Sequence, residues 1–371
     1  MEEKKSYERY HRQMILKGFG EAGQQKLAGA KVLVIGAGGL GCPALLYLAA
    51  AGVGVLGVMD DDVVALHNLH RQPVYQMEDI GKPKAQRVTA FLQQLNPDIL
   101  VIPYTERLTS AIALEIINRF DIIIDGTDNF SSRYLINDAC VLLNKPLVSG
   151  AVSQYEGQLS IFNAPRKGEE AVNYRDLFPE PPAAGEVLSC AEAGVLGVLP
   201  GIIGTMQAAE TIKLITGIGR PLVNRLYIFN ALNNQGYEMI IQKRKGSGSF
   251  IPSSAEIFTQ TDYEWLCDHS ANPFDISVED FDIWLKSGKA RVIDVREFGE
   301  EPAASEFDHE HIPLSQLRAN FKMDGADTVL FFCQSGIRSA QAARWMTDTY
   351  GNEKIVYSLR GGILHYKKQH E

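Results

Sequence analysis

Two groups of residues in this 371-residue chain have types and spacings suited to chemistry. The first begins at Gly36-Ala37-Gly38-Gly39-Leu40-Gly41, a G-x-G-x-x-G turn between a β-branched apolar run and a helical pattern. Such glycines permit a tight turn and let phosphate approach backbone N–H groups at a helix N-terminus. Asp60 lies about 20 residues further on, where a carboxylate can take ribose hydroxyls. Alone, this pattern predicts an NAD(P)-dependent oxidoreductase. Four additions depart from it: Arg9-Tyr10-His11-Arg12-Gln13, the run Asp60-Asp61-Asp62-Val63 to His67-Asn68-Leu69-His70-Arg71-Gln72, Gly81-Lys82-Pro83-Lys84, and Gly126-Thr127-Asp128-Asn129. A dinucleotide needs few cations, because a helix dipole and backbone amides hold its pyrophosphate. Arg and Lys gathered at the loop suit a triphosphate, whose leaving pyrophosphate develops charge. Asp128, at a strand end, offers Mg²⁺ a hard oxygen ligand.

The second group is Cys333-Gln334-Ser335-Gly336-Ile337-Arg338-Ser339, a tight loop between an apolar strand and a helix. A sulfur under successive N–H groups is stabilised as an anion. The loop has four residues between Cys333 and Arg338, one fewer than the phosphate cradle of cysteine phosphatases. A third candidate is Cys190, in Ser189-Cys190-Ala191-Glu192, after the Pro-rich stretch Pro179–Val187 and ahead of an apolar helical pattern where the dipole favours thiolate. Cys42, Cys140 and Cys267 read as small hydrophobes. The five cysteines form no CxxC and no disulfide framework, which points to a reducing, cytoplasmic compartment.

Alternating strands and helices must position these residues. Lys31–Gly36, Val55–Asp60, Asp121–Asp125 and Leu147–Gly150 read as parallel strands, and Leu40–Ala51 (capped by Gly52), Pro83–Leu95 and Ser110–Arg119 as helices. Arg225–Asn230 and Tyr237–Gln242 read as a late antiparallel pair. Residues 246–274 are expected to be a linker, dividing a nucleotide-binding α/β domain with a mixed sheet (1–245) from a small α/β domain (275–371). The latter has strands at Arg291–Val295 and Thr328–Phe332 and a helix from Arg338. The apolar stretch Gly194–Met206 is shorter than the about 20 residues a bilayer span needs and reads as a buried helix packed through its glycines. The N-terminal segment has no apolar signal region. A balance of 36 Lys and Arg against 45 Asp and Glu, net −9, disfavours nucleic acid as a partner.

The run from Arg9 to Gln242 resembles the E1-like MoeB/ThiF family, through RYHRQ, GAGGLG, DDDVVALHNLHRQ, GKPKA, GTDN and SCAEAGVLG. The resemblance implies ATP-dependent adenylation of the C-terminal Gly-Gly of a ubiquitin-like sulfur carrier. Gly36, Gly38, Gly39 and Gly41 would line the phosphates, and Asp60 the ribose. Asp62, Asn68, Arg71, Gln72 and Lys84 would surround the phosphate chain, Asp128 would hold Mg²⁺, and Asn129 would lie beside the nucleotide. Arg12 would reach a neighbouring subunit's site, implying a homodimer, and Cys190 would form a covalent link to carrier or sulfur. Many members carry structural zinc on two CxxC pairs. Here Asn173-Tyr174-Arg175-Asp176 replaces the first and none follows Gln242, so no structural zinc is expected. Residues from Asp275 resemble a rhodanese, through CxxGxRS, Arg291-Val292-Ile293-Asp294-Val295-Arg296-Glu297, His311-Ile312-Pro313 and Arg360-Gly361-Gly362, with an unusually acidic Glu300–His309 segment. This implies a Cys333 persulfide fed by a donor such as a cysteine desulfurase or thiosulfate. The fused rhodanese leans toward a molybdopterin-type carrier over a thiamine-pathway or tRNA-thiolation carrier.

Overall fold

The computed structural model describes residues 2–164, 170–182, 193–264, 274–300, 303–322, 327–334, 336–351 and 354–370. Cys190, Cys267 and Ser335 lie outside them. The described residues divide into two compact units: those up to 180 with those from 193 to 263, and those from 274 onward.

Eight strands build the first unit: β1 (Lys31–Ile35), β2 (Val55–Met59), β3 (Leu100–Tyr104), β4 (Ile122–Asp125), β5 (Leu147–Ser153), β6 (Glu156–Phe162), β7 (Arg225–Asn230) and β8 (Gln235–Ile240). They lie in the order β3-β2-β1-β4-β5-β6-β7-β8. The first five are parallel and β6 to β8 antiparallel, so the sheet is mixed. The apolar runs of β1 and β4 are buried along almost their whole length, as strands covered on both faces require. Chain order reverses at β1, which pairs β2 on one side and β4 on the other. The C-terminal ends of β1 and β4 therefore flank the crevice where such sheets bind ligands. Two strands and a helix that the pattern left unassigned, β3, β6 and Phe130–Leu142, complete this unit.

The Gly194–Met206 stretch enters the helix Val198–Thr216. Its glycine packing is literal at Gly204, where a Cβ would stand 2.1 Å from the Leu40 carbonyl oxygen. Among the described residues no helix is long and apolar enough to cross a membrane.

The expected linker departs from expectation in its first half. Residues 255–260 form a helix, and Phe258 and Tyr263 are buried. Tyr263 donates through its hydroxyl to Asp138 Oδ2 (2.9 Å). Asp138, fully buried, also receives a two-pronged guanidinium from Arg175 (Nε–Oδ1 2.8 Å, Nη2–Oδ2 2.7 Å). Buried apolar surface and a satisfied buried charge hold this segment on the first unit, a cause invisible in its Gly- and Ser-rich beginning.

The two segments that zinc would join are joined by a carboxylate. Asp176 accepts from the Asn173 backbone N–H (2.8 Å), Lys243 Nζ (3.0 Å), the Arg244 N–H (3.0 Å) and the Ser247 hydroxyl (2.5 Å). Asn and Asp in place of cysteines do not fit zinc, which takes four N or S ligands in structural sites. They do fit a hydrogen-bonded staple between residues 173–176 and 243–247.

In the second unit, β9 (Asp275–Ile276), β10 (Ala290–Asp294), β11 (Glu310–His311), β12 (Thr328–Phe332) and β13 (Ile355–Leu359) form a parallel sheet ordered β11-β10-β12-β13-β9. The central strand β12 is wholly buried and ends at Cys333.

The staple predicts two results. Burial pushes the Asp176 carboxyl up, but the hydrogen bonds from Ser247, Asn173, Arg244 and Lys243 outweigh it and hold it below the usual range. A depressed carboxylate stabilises the fold above its unfolded pKa of about 3.9, and that contribution disappears as pH falls through the folded pKa. Asp176→Ala is expected to lose about 2–4 kcal/mol at neutral pH and to show a flatter acid-unfolding profile. A metal chelator is expected to leave the wild-type melting temperature unchanged.

Candidate active site

The glycines of the first loop do different jobs. Gly36 has φ +92°, and a Cβ there would lie 2.7 Å from the Gly126 carbonyl oxygen. At Gly41 a Cβ would lie 1.7 Å from the Gly36 oxygen. These two let β1, β4 and the helix Gly41–Ala51 meet backbone to backbone. Gly38 is half-buried and would meet only Gln72 Nε2, at 3.6 Å, so it leaves its face of the loop open. Gly39 would press on Pro200 and lie 3.6 Å from Arg71 Cγ.

Of the residues expected around this loop, Asp60, Arg71 and Gln72 lie against it. Asp60 accepts from the Ala37 N–H (2.7 Å) and the Asp62 N–H (2.9 Å), gripping the loop from the end of β2. Burial pushes its carboxyl up, partly offset by those two N–H groups. Asn68 is buried, and its Oδ1 takes the Ala65 N–H (3.0 Å), shaping the turn whose carbonyl, Asn68 O, holds the Arg71 and Gln72 N–H groups (3.0 Å each). Gln72 is buried, and its Oε1 has no hydrogen-bond partner. An orphaned amide oxygen against the open face of Gly38 fits a site completed by a ligand carrying donors.

Lys84 begins the helix Lys84–Leu95, where its backbone N–H donates to Asp62 O (2.9 Å). Its Nζ pairs with Asp62 Oδ2 at 2.5 Å and the side chain is almost fully buried. Asp62, expected to line the nucleotide, thus holds the lysine that would contact phosphate. Arg71 Nη1 donates to His67 O and meets His70 Nε2, each at 2.9 Å. A groove of about 610 Å³ opens beside it between His70 and the helix Val198–Thr216.

At the end of β4, Asp125 is buried and accepts from Thr127 N (2.9 Å) and Oγ1 (2.7 Å). This turn leaves Asp128 exposed. Asn129 is an N-cap: its Oδ1 accepts from the Ser132 N–H (2.9 Å). Two supporting residues escaped the motif reading. Tyr75 donates from its hydroxyl to Ala37 O (2.8 Å), tying the loop to the segment before Lys84, and Gln207 Nε2 donates to Asp125 O (2.7 Å). An isolated Tyr or Gln inside an apolar pattern carries no spacing signal.

Arg12 is not brought to this chain's own loop. It is exposed near the end of the helix Glu2–Met14. Its neighbour Gln13 donates to Ala51 O (2.9 Å), at the C-terminal end of the helix whose N-terminal end carries Gly41. At 1.5 Å per residue the two ends stand roughly 15 Å apart. The described ends of the segment bearing Cys190 are pinned. Tyr134 donates to Phe178 O (3.1 Å) and Glu180 O (2.7 Å) before it, and Gln154 pairs with Gly194 and Leu196 (3.0 Å each) after it. Cys42 and Cys140 are buried, and burial pushes the Cys42 thiol up to about 12.

In the second unit Cys333 is buried, and its Sγ accepts from the Gly336 N–H (3.2 Å). The Ser339 hydroxyl lies 3.5 Å from the sulfur and donates to Gly336 O (2.9 Å). Gly336 has φ +94°, and a Cβ there would come within 2.9 Å of Gly361 N. A Cβ on Gly362 would stand 2.5 Å from both Cys333 O and Gln334 O, and Ile363 N donates to Cys333 O (2.8 Å). The Gly361-Gly362 pair therefore lets the last helix close on the sulfur loop. Asp294 and Arg296 pair with each other, both buried, and His311 Nε2 lies 2.8 Å from Arg296 O. Arg338 leaves the loop's helix and forms a two-pronged pair with Glu300.

Comparison with known proteins finds both expected families. The ThiF family matches residues 10–249, and the Rhodanese-like domain residues 277–369. The chain is 40% identical over 97% of its length to the probable adenylyltransferase/sulfurtransferase MoeZ of Mycobacterium tuberculosis, covering 93% of it. It is 51% identical to the sulfur carrier protein adenylyltransferase of Thermus thermophilus, over 71% of this chain and 97% of that relative. It is 43% identical to the adenylyltransferase and sulfurtransferase MOCS3 of Arabidopsis thaliana, over 92% of this chain and 79% of that one. E. coli MccB is similar in fold, with a TM-score of 0.54 at 20% identity over 61% of this chain and 68% of MccB.

The two kinds of glycine separate experimentally. Gly41→Ala is expected to lower the melting temperature markedly, because its Cβ collides with backbone. Gly38→Ala is expected to keep the wild-type melting temperature but weaken ATP binding about tenfold or more by titration calorimetry, since it fills the face phosphate would approach.

Proposed function

Because the chain belongs to the ThiF family and ends in a rhodanese-like domain, we propose that it adenylates the C-terminal Gly-Gly of a ubiquitin-like sulfur carrier and then thiolates it. Adenylyltransferase and sulfurtransferase are its two activities. The observation that supports the first half is a glycine loop gripped by Asp60, with Arg71 Cγ 3.6 Å from where a Gly39 Cβ would stand and a buried Lys84 held by the exposed Asp62 carboxylate. The carrier carboxylate attacks the α-phosphorus of ATP. An acyl–O–P bond forms, the α–β P–O bond breaks, and pyrophosphate leaves with the electron pair. Lys84 exchanges its Asp62 partner for phosphate oxygens, and with Arg71 it neutralises the charge that develops. Asn68 keeps Arg71 and Gln72 in register, and Asp60 fixes the loop while its carboxylate faces the ribose. Asp128 is the carboxylate suited to Mg²⁺, which supplies further neutralisation of the phosphates.

In the second half Cys333, held under the Gly336 N–H, carries the persulfide. Its outer sulfur attacks the acyl carbon and AMP leaves, giving an acyl disulfide. A Cys190 thiolate then attacks the Cys333 sulfur, the thiocarboxylate leaves, and the resulting Cys190–Cys333 disulfide is reset by a cellular thiol reductant. Thiols that must be reduced to react suit a reducing, cytoplasmic setting. The fused rhodanese favours a molybdopterin-type carrier. Arg12, roughly 15 Å of helix from its own loop, supports a homodimer in which it serves the partner's site.

Arg71→Ala and Lys84→Ala are each expected to cut carrier-dependent ATP–pyrophosphate exchange about a hundredfold or more. Exchange at the wild-type rate in both would overturn the assignment. Arg12→Ala and Lys84→Ala, each inactive alone, are expected to regain exchange when mixed and allowed to form hybrid dimers. No recovery in hybrids verified by mass would overturn the in-trans role of Arg12.

A further inference from the structure

The loop that holds Cys333 has one arginine in its helix's first turn, and that arginine is already taken. Arg338 Nη1 and Nη2 donate to Glu300 Oε1 (2.5 Å) and Oε2 (2.7 Å), the parallel two-bond geometry in which guanidinium binds a carboxylate most strongly. Both side chains are about three-quarters buried, so solvent screens the pair little. Glu300 Oε1 also takes the Glu297 N–H (2.8 Å), which fixes the carboxylate from its own segment. The hydrogen bonds from Arg338 hold the Glu300 carboxyl down to about 2, so it is charged throughout the physiological range. The charges that act on the Arg338 guanidinium beyond Glu300 are Cys333 and Glu297. Arg296, the other cation acting on Glu300, is committed to Asp294 by bonds of 2.6 to 3.0 Å in a buried pair.

This arrangement bears on which donor can load the sulfur. Loading from thiosulfate forms a bond between the Cys333 thiolate and the sulfane sulfur, breaks the S–S bond, and expels sulfite, a dianion that needs a cation beside it. Loading from an organic persulfide forms the same new bond, breaks the donor's S–S bond, and expels a thiolate with a single charge that its own donor can stabilise. With Arg338 already holding a carboxylate, the loop's own arginine is not free to meet sulfite, and Glu300 opposes it with a fixed negative charge. We propose that Glu300 is a specificity-determining residue of the Cys333 loop, occupying Arg338 so that sulfur is accepted from thiol persulfides and oxyanion donors are turned away. It rests on the reading of Cys333 as the persulfide carrier, and it gives the acidic Glu300–His309 segment a function.

The test compares full-length wild type, Glu300→Gln and Cys333→Ala with two donors, thiosulfate and 2-hydroxyethyl persulfide. The readout is gain of one sulfur atom at residue 333 by intact mass, with initial rates. Glu300→Gln keeps an acceptor for the Glu297 N–H while removing the charge. It is expected to raise kcat/KM for thiosulfate about tenfold or more, chiefly through a lower KM, and to make sulfite a correspondingly stronger competitive inhibitor. Its kcat/KM for the persulfide, calculated on the protonated form that Cys333 attacks, is expected to stay at the wild-type level. Unchanged thiosulfate and sulfite constants, or equal gains with both donors, would overturn the proposal. Labelling that persists in Cys333→Ala would overturn the persulfide reading instead, and so separates the two failures.

Discussion

Backbone packed on backbone, with no room for a Cβ, is the constraint from which the first site follows. Gly41 sits on the Gly36 carbonyl, Gly36 on the Gly126 carbonyl, and Gly204 on the Leu40 carbonyl. The chain of contacts joins the ends of β1 and β4 to the helix Gly41–Ala51 and on to the helix Val198–Thr216. Because the stack is backbone, its spacing does not depend on rotamers, and the open face of Gly38 is held to the accuracy of the sheet itself.

Around these loops the cations are paired before any substrate arrives. Lys84 rests on Asp62, Arg338 on Glu300, and Arg175 on Asp138. The physical reason is common to all three: a buried or half-buried cation without a partner costs more than the pair. The consequences differ with burial. Arg175–Asp138 is sealed and structural, holding Tyr263 and with it residues 255–263 on the first unit. Lys84–Asp62 is open on the carboxylate side, so phosphate can compete for the lysine. Arg338–Glu300 lies between these cases, and its carboxylate sets which anion can compete.

The same logic answers how residues 173–176 and 243–247 are held together. A single buried carboxylate, Asp176, gathers donors from residues 173–176 and 243–247, and Tyr263 and Arg175 converge on Asp138 nearby. Hydrogen bonds of this kind are individually modest, but the buried Asn173 and Ser247 donors would otherwise be unsatisfied, so removal of the acceptor is costly.

Much of this was legible in the order of residues. The glycine turn, the parallel strands and the antiparallel pair of β7 and β8 follow from local patterns, because a turn that needs positive φ or close backbone approach restricts residue type at the position itself. The strand β6 and the docking of residues 255–263 were not legible, since β6 and Phe258 declare themselves only against partners far along the chain. The pairing of Asp62 with Lys84, the Asp176 staple, the distance of Arg12 from its own loop and the capture of Arg338 by Glu300 belong to the tertiary structure alone. Sequence names the groups able to carry charge; only folding brings charges distant in the chain within a few ångströms, and that proximity decides which remain available for chemistry.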